Sequence, residues 1–150
     1  MAAAIPDHGW RTWTAVAVGG FSGTELRYVL GLLFPEDPAG FPWTTLAINL
    51  SGSFVLGLLT TLWLARTRTA FWLRAGIGPG ILGSFTTFSA VVFALEHLAV
   101  QGQLIIALAY LAVSVIAGLL AAGVGWRTGK SIADLQKPVA ADDESVGARR

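Results

Sequence analysis

This chain of 150 residues has no cysteine, little charge and no recognisable catalytic set. The absence of cysteine excludes disulfides, thiolate metal sites and thiol redox chemistry. Charged residues make up only 13% of the chain, well below the soluble average, and the net charge of +1 disfavours a nucleic-acid partner. The sequence also lacks a nucleophile–base–acid set, a phosphate-binding glycine loop and a metal-ligand cluster. It therefore predicts a protein that is not an enzyme.

Long apolar runs dominate instead, and they predict an all-α membrane protein. A helix needs about 20 apolar residues to cross about 30 Å of hydrocarbon. Four runs meet that length, at residues 14–34, 44–65, 71–98 and 104–126, and the six tryptophans lie at their ends, as in an aromatic belt. The predicted plan is an N-terminal tail (1–12), a four-helix transmembrane domain (13–126) and a polar, disordered C-terminal tail (127–150).

The basic residues predict the orientation of these helices. Lys and Arg flank the start of the first run, the second connection and the end of the fourth run, whereas the first and third connections contain none. Because Lys and Arg concentrate on the cytoplasmic side, we expect both termini in the cytoplasm. The expected location is the inner or plasma membrane of the cell. The N-terminus lacks the pattern of a signal peptide.

The third run contains a predicted helix break. Residues 76–83 read Gly-Ile-Gly-Pro-Gly-Ile-Leu-Gly, and a cluster of hydroxyl residues follows at 84–89. Lipid cannot hydrogen-bond a freed amide or carbonyl, so broken backbone at membrane depth must pack on protein or line a watery cavity. The break is therefore a candidate site.

Polar residues within the first run leave alternatives open. Arg27 either lines an aqueous vestibule, where its charge would concentrate anions, or extends to the interface. Glu25 is two positions away, so the two side chains do not share a helix face. The simplest interpretation of Glu25 is a carboxylate that reaches the outer interface.

The second and fourth runs each carry polar residues on one face. Thr45 and Asn49 are four positions apart in the second run, as are Tyr110 and Ser114 in the fourth. The Asn49 amide either makes an interhelical hydrogen bond or supplies N–H donors that replace the lost water of an anion.

These residues together resemble a known family. The segments Gly19-Gly-Phe-Ser-Gly23 with Leu26-Arg-Tyr28, Thr45-Leu-Ala-Ile-Asn-Leu-Ser-Gly-Ser-Phe54 and Gly83-Ser-Phe-Thr-Thr-Phe-Ser89 are similar to those of the CrcB/Fluc fluoride channels. The resemblance covers about residues 19–126. It implies an antiparallel, dual-topology dimer of four-helix subunits with a broken third helix, which exports fluoride passively through pores at the subunit interface.

The resemblance also implies site residues. A structural Na⁺ ion that is not transported would be held by the backbone carbonyls of Gly83 and Thr86, and Arg27 would lie at the vestibule. The implied fluoride pore is lined by Asn49, Phe88, Thr87, Ser89, Thr45, Tyr110 and Ser114.

Two departures from the family pattern bear on the partner. Val91 stands where a second pore phenylalanine is usual, and Gly118 stands where a hydroxyl is usual. A homodimer that inserts both ways should also have little Lys/Arg bias, whereas this chain has a clear one. The partner is thus a second copy or an inverted paralogue. The alternatives are a proton-coupled cation antiporter of the small multidrug type that uses Glu25, and a non-conducting partner subunit.

Overall fold

A computed structural model describes residues 9–37, 40–66 and 69–136. All regular structure in these ranges is helical, which confirms the all-α prediction. The helices are α1 (Trp10–Leu33), α2 (Trp43–Ala65), α3 (Phe71–Ala75), a π-helical segment (Gly76–Leu82), α4 (Gly83–Phe85), α5 (Phe88–Val100) and α6 (Leu104–Leu135).

Three of the described stretches are long and apolar enough to cross a membrane. They are Trp43–Ala65, Phe71–Val100 and Leu104–Leu135. Helix α1 has 24 residues but is less apolar, because its second half carries Glu25 and Arg27 among small residues. These three stretches identify the chain as a multi-pass membrane protein.

The glycine–proline sequence of the third stretch changes its helix type. Pro79 has no N–H and cannot donate to the carbonyl four residues earlier, so the helix widens into the π-helical segment around it. After α4 the backbone is extended at Thr86 (ψ 153°) and Thr87 (ψ 120°), and α5 begins at Phe88. The backbone groups of Thr86 and Thr87 thus lie outside regular helix.

Glycines bring the helices into backbone contact. A Cβ at Gly19 or Gly23 of α1 would overlap a carbonyl oxygen of the π-helical segment, and one at Gly57 of α2 would overlap the Ala122 carbonyl of α6. These three glycines therefore serve packing within this chain.

We expect Gly125→Val to destabilise the protein strongly. A Cβ at Gly125 would overlap the carbonyl oxygen of Phe54, so α2 and α6 would have to separate. Overpacking of this kind costs about 1–3 kcal/mol. Thermal unfolding of the purified protein in detergent measures the loss. The matched control is Gly123→Val on the same helix, where an added Cβ meets nothing within 4 Å; equal losses in both variants would contradict the packing argument.

A tight turn at Gly102 joins α5 to α6. Gly102 has a φ of +75°, which glycine adopts without strain. Its N–H donates to the Ala99 carbonyl at 3.0 Å, and the Gln103 N–H donates to the Leu98 carbonyl at 2.8 Å. This pair of bonds is the Schellman ending of a helix, and it forms the short connection between α5 and α6.

The predicted start of the disordered tail at residue 127 is wrong, because α6 continues to Leu135. Gly129 is buried, and a Cβ added there would overlap Leu58 and Thr61 of α2. The Arg66 guanidinium donates to Gln136 Oε1 at 2.6 Å, which ties the end of α6 to the end of α2. Tertiary packing therefore extends the helix past the apolar run. Residues 1–8 and 137–150 of the predicted tails lie outside the described residues.

Candidate functional site

An open cleft of about 550 Å³ lies between α2, α6 and the third stretch, and we call it the central cleft. Among its lining residues are four of the predicted pore residues, Asn49, Thr87, Phe88 and Ser114. The predicted cation ligands Gly83 and Thr86 line it too, as do Val91 and Gly118. The cleft thus brings together residues from three separate apolar runs.

Asn49 makes a reciprocal pair of hydrogen bonds with the extended backbone of Thr87. The Asn49 Nδ2 donates to the Thr87 carbonyl at 3.0 Å, and the Thr87 N–H donates to Asn49 Oδ1 at 2.8 Å. Of the two alternatives for Asn49, the interhelical bond is therefore present. The amide NH₂ carries two protons, so one remains for another acceptor in the cleft.

Side chains divert two backbone donors away from helical carbonyls at this point. In an α-helix the N–H of Thr87 would bond the Gly83 carbonyl, but it bonds Asn49 instead. The N–H of Ala90 would bond the Thr86 carbonyl, but it donates to Thr87 Oγ1 at 3.1 Å. The carbonyl oxygens of Gly83 and Thr86 are thus left without their helical donors.

Two hydroxyls on α6 are buried without a hydrogen bond. Tyr110 has no exposed surface, and its ring stands edge-on to Phe41 at a centroid distance of 5.3 Å. Its hydroxyl and that of Ser114, one turn further on, lie within electrostatic reach of each other, yet neither has a partner of hydrogen-bonding geometry among the described residues. A buried donor without a partner costs stability, so these two hydroxyls require an explanation.

A second cleft of about 410 Å³ lies between the end of α1 and the start of α2, and we call it the entrance cleft. Arg27, Thr45 and Thr87 line it together with Glu36. The Glu36 carboxylate accepts from the Thr45 N–H at 2.6 Å and from the Thr45 hydroxyl at 3.1 Å. It thereby caps the first turn of α2, where a negative charge is favourable. Thr87 lines both clefts and joins them.

The remaining predicted residues lie at the edges of this arrangement. Phe88 is 79% exposed at the rim of the central cleft, and Ser89 Oγ lies 3.1 Å from Thr87 Oγ1. Val91 is buried against Leu46 and Tyr110 in the core of the chain. Glu25 is exposed and lines neither cleft.

Sequence reasoning missed two residues that shape the site. Glu36 lies in the first connection, too far before α2 for any capping signal in the sequence, because such signals lie immediately before a helix or in its first turn. Gly52 lies three residues after Asn49, and a Cβ there would overlap the Thr86 side chain. Its position in a small-residue stretch of α2 gave no sign that Thr86 packs there.

Helices that cross a membrane, with polar side chains from separate helices gathered in a cleft between them, define a helical membrane protein with an intramembrane polar site. A sequence model of the family described as "CrcB-like protein, Camphor Resistance (CrcB)" matches residues 14–126. The chain belongs to this family.

Several curated relatives are similar over most of their length. The chain is 39% identical over 110 residues to "Fluoride-specific ion channel FluC 1" of Desulfitobacterium hafniense (strain Y51), which is 73% of this chain and 96% of that protein. It is 40% identical over 125 residues to "Fluoride-specific ion channel FluC 1" of Streptomyces coelicolor, which is 80% of each. It is 38% identical over 110 residues to "Fluoride-specific ion channel FluC" of Chlorobium luteolum, which is 73% of this chain and 85% of that protein.

Proposed function

We propose that this chain is a subunit of a fluoride-specific channel, not an enzyme, and that it lowers cytoplasmic fluoride by passive export. The observation that carries the proposal is a set of hydrogen-bond donors: the second Asn49 N–H and the Ser114 hydroxyl at the wall of the central cleft, and the Tyr110 hydroxyl buried one turn before Ser114. Fluoride is small and strongly hydrated, so a path for it needs closely placed donors to replace water. The relatives named as fluoride-specific channels support the same assignment.

The proposed path follows the donors along α2, α5 and α6. Thr87 and Ser89 share one hydroxyl–hydroxyl bond, so one of their two protons stays free whichever is the donor. The Phe88 ring edge carries partial positive charge and can face the anion at the rim. Several weak sites in series let the ion enter and leave again.

The entrance cleft is the proposed vestibule. Arg27 is half-buried there, and its positive charge is proposed to attract anions to a cleft in which the Glu36 carboxylate bonded to Thr45 offsets part of that charge. On this proposal α1 also crosses the bilayer, with its Arg27 end outside and both chain termini in the cytoplasm of the cell.

A second subunit completes the pore. The central cleft is open along one side, and Phe88 is mostly exposed at its rim. An ion path left open to lipid would not conduct, so a partner in the antiparallel orientation is proposed to cover it. The Lys/Arg bias and Val91 favour an inverted paralogue over a second copy.

The residues at Gly83 and Thr86 fit a structural sodium ion. Both carbonyl oxygens have lost their helical donors, and hard oxygen ligands from irregular backbone suit an alkali cation. The ion would hold the interrupted third helix and would not be transported. Its positive charge would offset the dipoles of these carbonyls inside the bilayer.

Fluoride efflux from liposomes tests the proposed function. The purified protein, with any second chain that co-purifies, is reconstituted into vesicles loaded with fluoride, and an ion electrode follows its release. We expect fluoride release and no chloride release from vesicles loaded with chloride. Equal release of both ions, or release of neither from an assembly with two intact subunits, would refute a fluoride-specific channel.

We expect Tyr110→Phe to slow fluoride efflux without destabilising the protein. The hydroxyl has no hydrogen-bond partner among the described residues, so its removal costs no hydrogen bond there and is neutral or stabilising. A hydrogen bond to a charged group is worth about 1.5–3 kcal/mol, which predicts about a tenfold or greater loss of flux if fluoride uses it. Efflux and thermal unfolding are measured on the same sample. Unchanged efflux would remove Tyr110 from the path.

A further inference from the structure

The Asn49 side chain does more than line a cleft, because it is bonded to the backbone that separates α4 from α5. Asn49 Oδ1 accepts the Thr87 N–H at 2.8 Å. That N–H is the one that would otherwise bond the Gly83 carbonyl within a continued helix. The acceptor atom of Asn49 therefore replaces the Gly83 carbonyl as the partner of Thr87.

The surrounding residues fix the same backbone geometry. Gly52 lies on α2 three residues after Asn49 and leaves room for the Thr86 side chain. The Thr86 hydroxyl donates to the Leu82 carbonyl at 2.8 Å, and Thr87 Oγ1 caps α5 through Ala90. Thr86 and Thr87 are thus held from α2 on one side and from their own side chains on the other.

We infer that Asn49 is a positioning residue for the cation site: its Oδ1 keeps the Gly83 carbonyl free to bind sodium. The inference rests on the proposed function, in which the carbonyls of Gly83 and Thr86 are the ligands. It separates two roles within one side chain. The acceptor Oδ1 acts on the cation site, and the second proton of Nδ2 acts on the fluoride path.

The two roles predict different behaviour for two variants. In Asn49→Asp a carboxylate oxygen can still accept the Thr87 N–H, so sodium binding persists. Both N–H donors of the amide are lost, including the one that bonds the Thr87 carbonyl. In Asn49→Leu the side chain has similar size but no acceptor, so Thr87 returns to Gly83 or loses its partner. Outer partners of metal ligands typically change metal affinity by about 10- to 100-fold, and a loss in that range is expected for Asn49→Leu.

Sodium-dependent thermal stability of the purified protein tests the inference without any measurement of flux. The melting temperature is titrated with sodium at constant ionic strength, with N-methylglucamine as the replacing cation. The matched control is Ser51→Ala, which alters an exposed hydroxyl on α2 that donates only to Ile48 of its own helix. Ser51→Ala is expected to keep the half-saturating sodium concentration of the wild type within about threefold, and Asn49→Leu to raise it by at least about tenfold. Asn49→Asp is expected to keep that concentration or to lower it, because its carboxylate attracts the cation.

The outcomes distinguish the inference from the proposal beneath it. If the wild type shows no sodium-specific stabilisation, the cation site itself is refuted. If the wild type responds and Asn49→Leu responds equally, or Asn49→Asp loses the response, the site stands and the role of Asn49 is refuted. Should Asn49→Leu fail to fold, Asn49→Ser replaces it, because its shorter side chain cannot reach Thr87 and is expected to shift the half-saturating concentration in the same way.

Discussion

Replacement of Asn49 by aspartate is expected to abolish fluoride efflux while the protein stays folded. The substitution keeps the shape of the side chain and the acceptor for the Thr87 N–H. It removes both N–H donors, the one bonded to the Thr87 carbonyl and the spare one, and puts a carboxylate beside the path. Two like charges 4 Å apart repel by about 4 kcal/mol at an effective dielectric constant of about 20. A barrier raised by that amount slows passage about a thousandfold.

Efflux from fluoride-loaded liposomes measures this effect, in the assembly with which the wild type conducts. Ser51→Ala, two positions further along α2 and exposed, is the control for substitution in this helix and should conduct as the wild type does. Efflux of Asn49→Asp within a few-fold of the wild type would show that the anion does not pass this residue. The cation site would then be the main role left for Asn49.

The starts of three helices could be predicted from the sequence almost to the residue. Helices α2, α3 and α6 begin at Trp43, Phe71 and Leu104, against predicted starts at residues 44, 71 and 104. Each follows a short connection that contains proline, polar or glycine residues, so the apolar run begins abruptly. The end of α6 could not be predicted, because residues after Trp126 are polar and their helix depends on contacts of Gly129 with α2.

The hydrogen bonds of the candidate site could be predicted from the sequence only in part. Spacing shows that Thr45 and Asn49 share a face, but the partner of Asn49 lies 38 residues away in a different apolar run. Only the folded chain shows that this partner is the backbone of Thr87 and that the Gly83 carbonyl is thereby released. Similarly, nothing in the spacing of Tyr110 and Ser114 tells that both hydroxyls are buried without a bond.

The position of Val91 changes what its departure from the family pattern means. The sequence suggests a missing ring in the pore, whereas the side chain is 6% exposed and packs on Leu46 and Tyr110. Val91 therefore contributes to the core beneath the proposed path as well as to the wall of the central cleft. A larger side chain at this position would have to displace Tyr110 or project into the cleft. The Lys/Arg bias of the chain therefore supports an inverted paralogue as the partner more than Val91 does.

The charged end of the molecule is compact. The Arg74 guanidinium donates to the Arg66 carbonyl at 3.1 Å, and Arg66 reaches Gln136 at the end of α6. The start of α1 joins them, because Ala15 contacts Gly76 at the start of the π-helical segment. The basic residues of the helix ends therefore lie on one side of the bundle. A chain charged in this way is predicted to insert in one orientation.

Membrane vesicles from cells that express this chain alone are therefore expected to release fluoride no faster than vesicles from cells without it. An antiparallel pore needs one subunit in each orientation, and a chain with a fixed orientation supplies only one. Co-expression with a similar chain of opposite Lys/Arg bias should restore efflux. The matched control reverses the Lys/Arg bias of the chain itself. Arg66 and Arg74 are exchanged for glutamine, and two arginines are added to the first connection. The altered chain should then insert in the opposite orientation and conduct together with the unaltered chain. Full efflux from the unaltered chain alone would instead establish a homodimer that inserts both ways despite its charges.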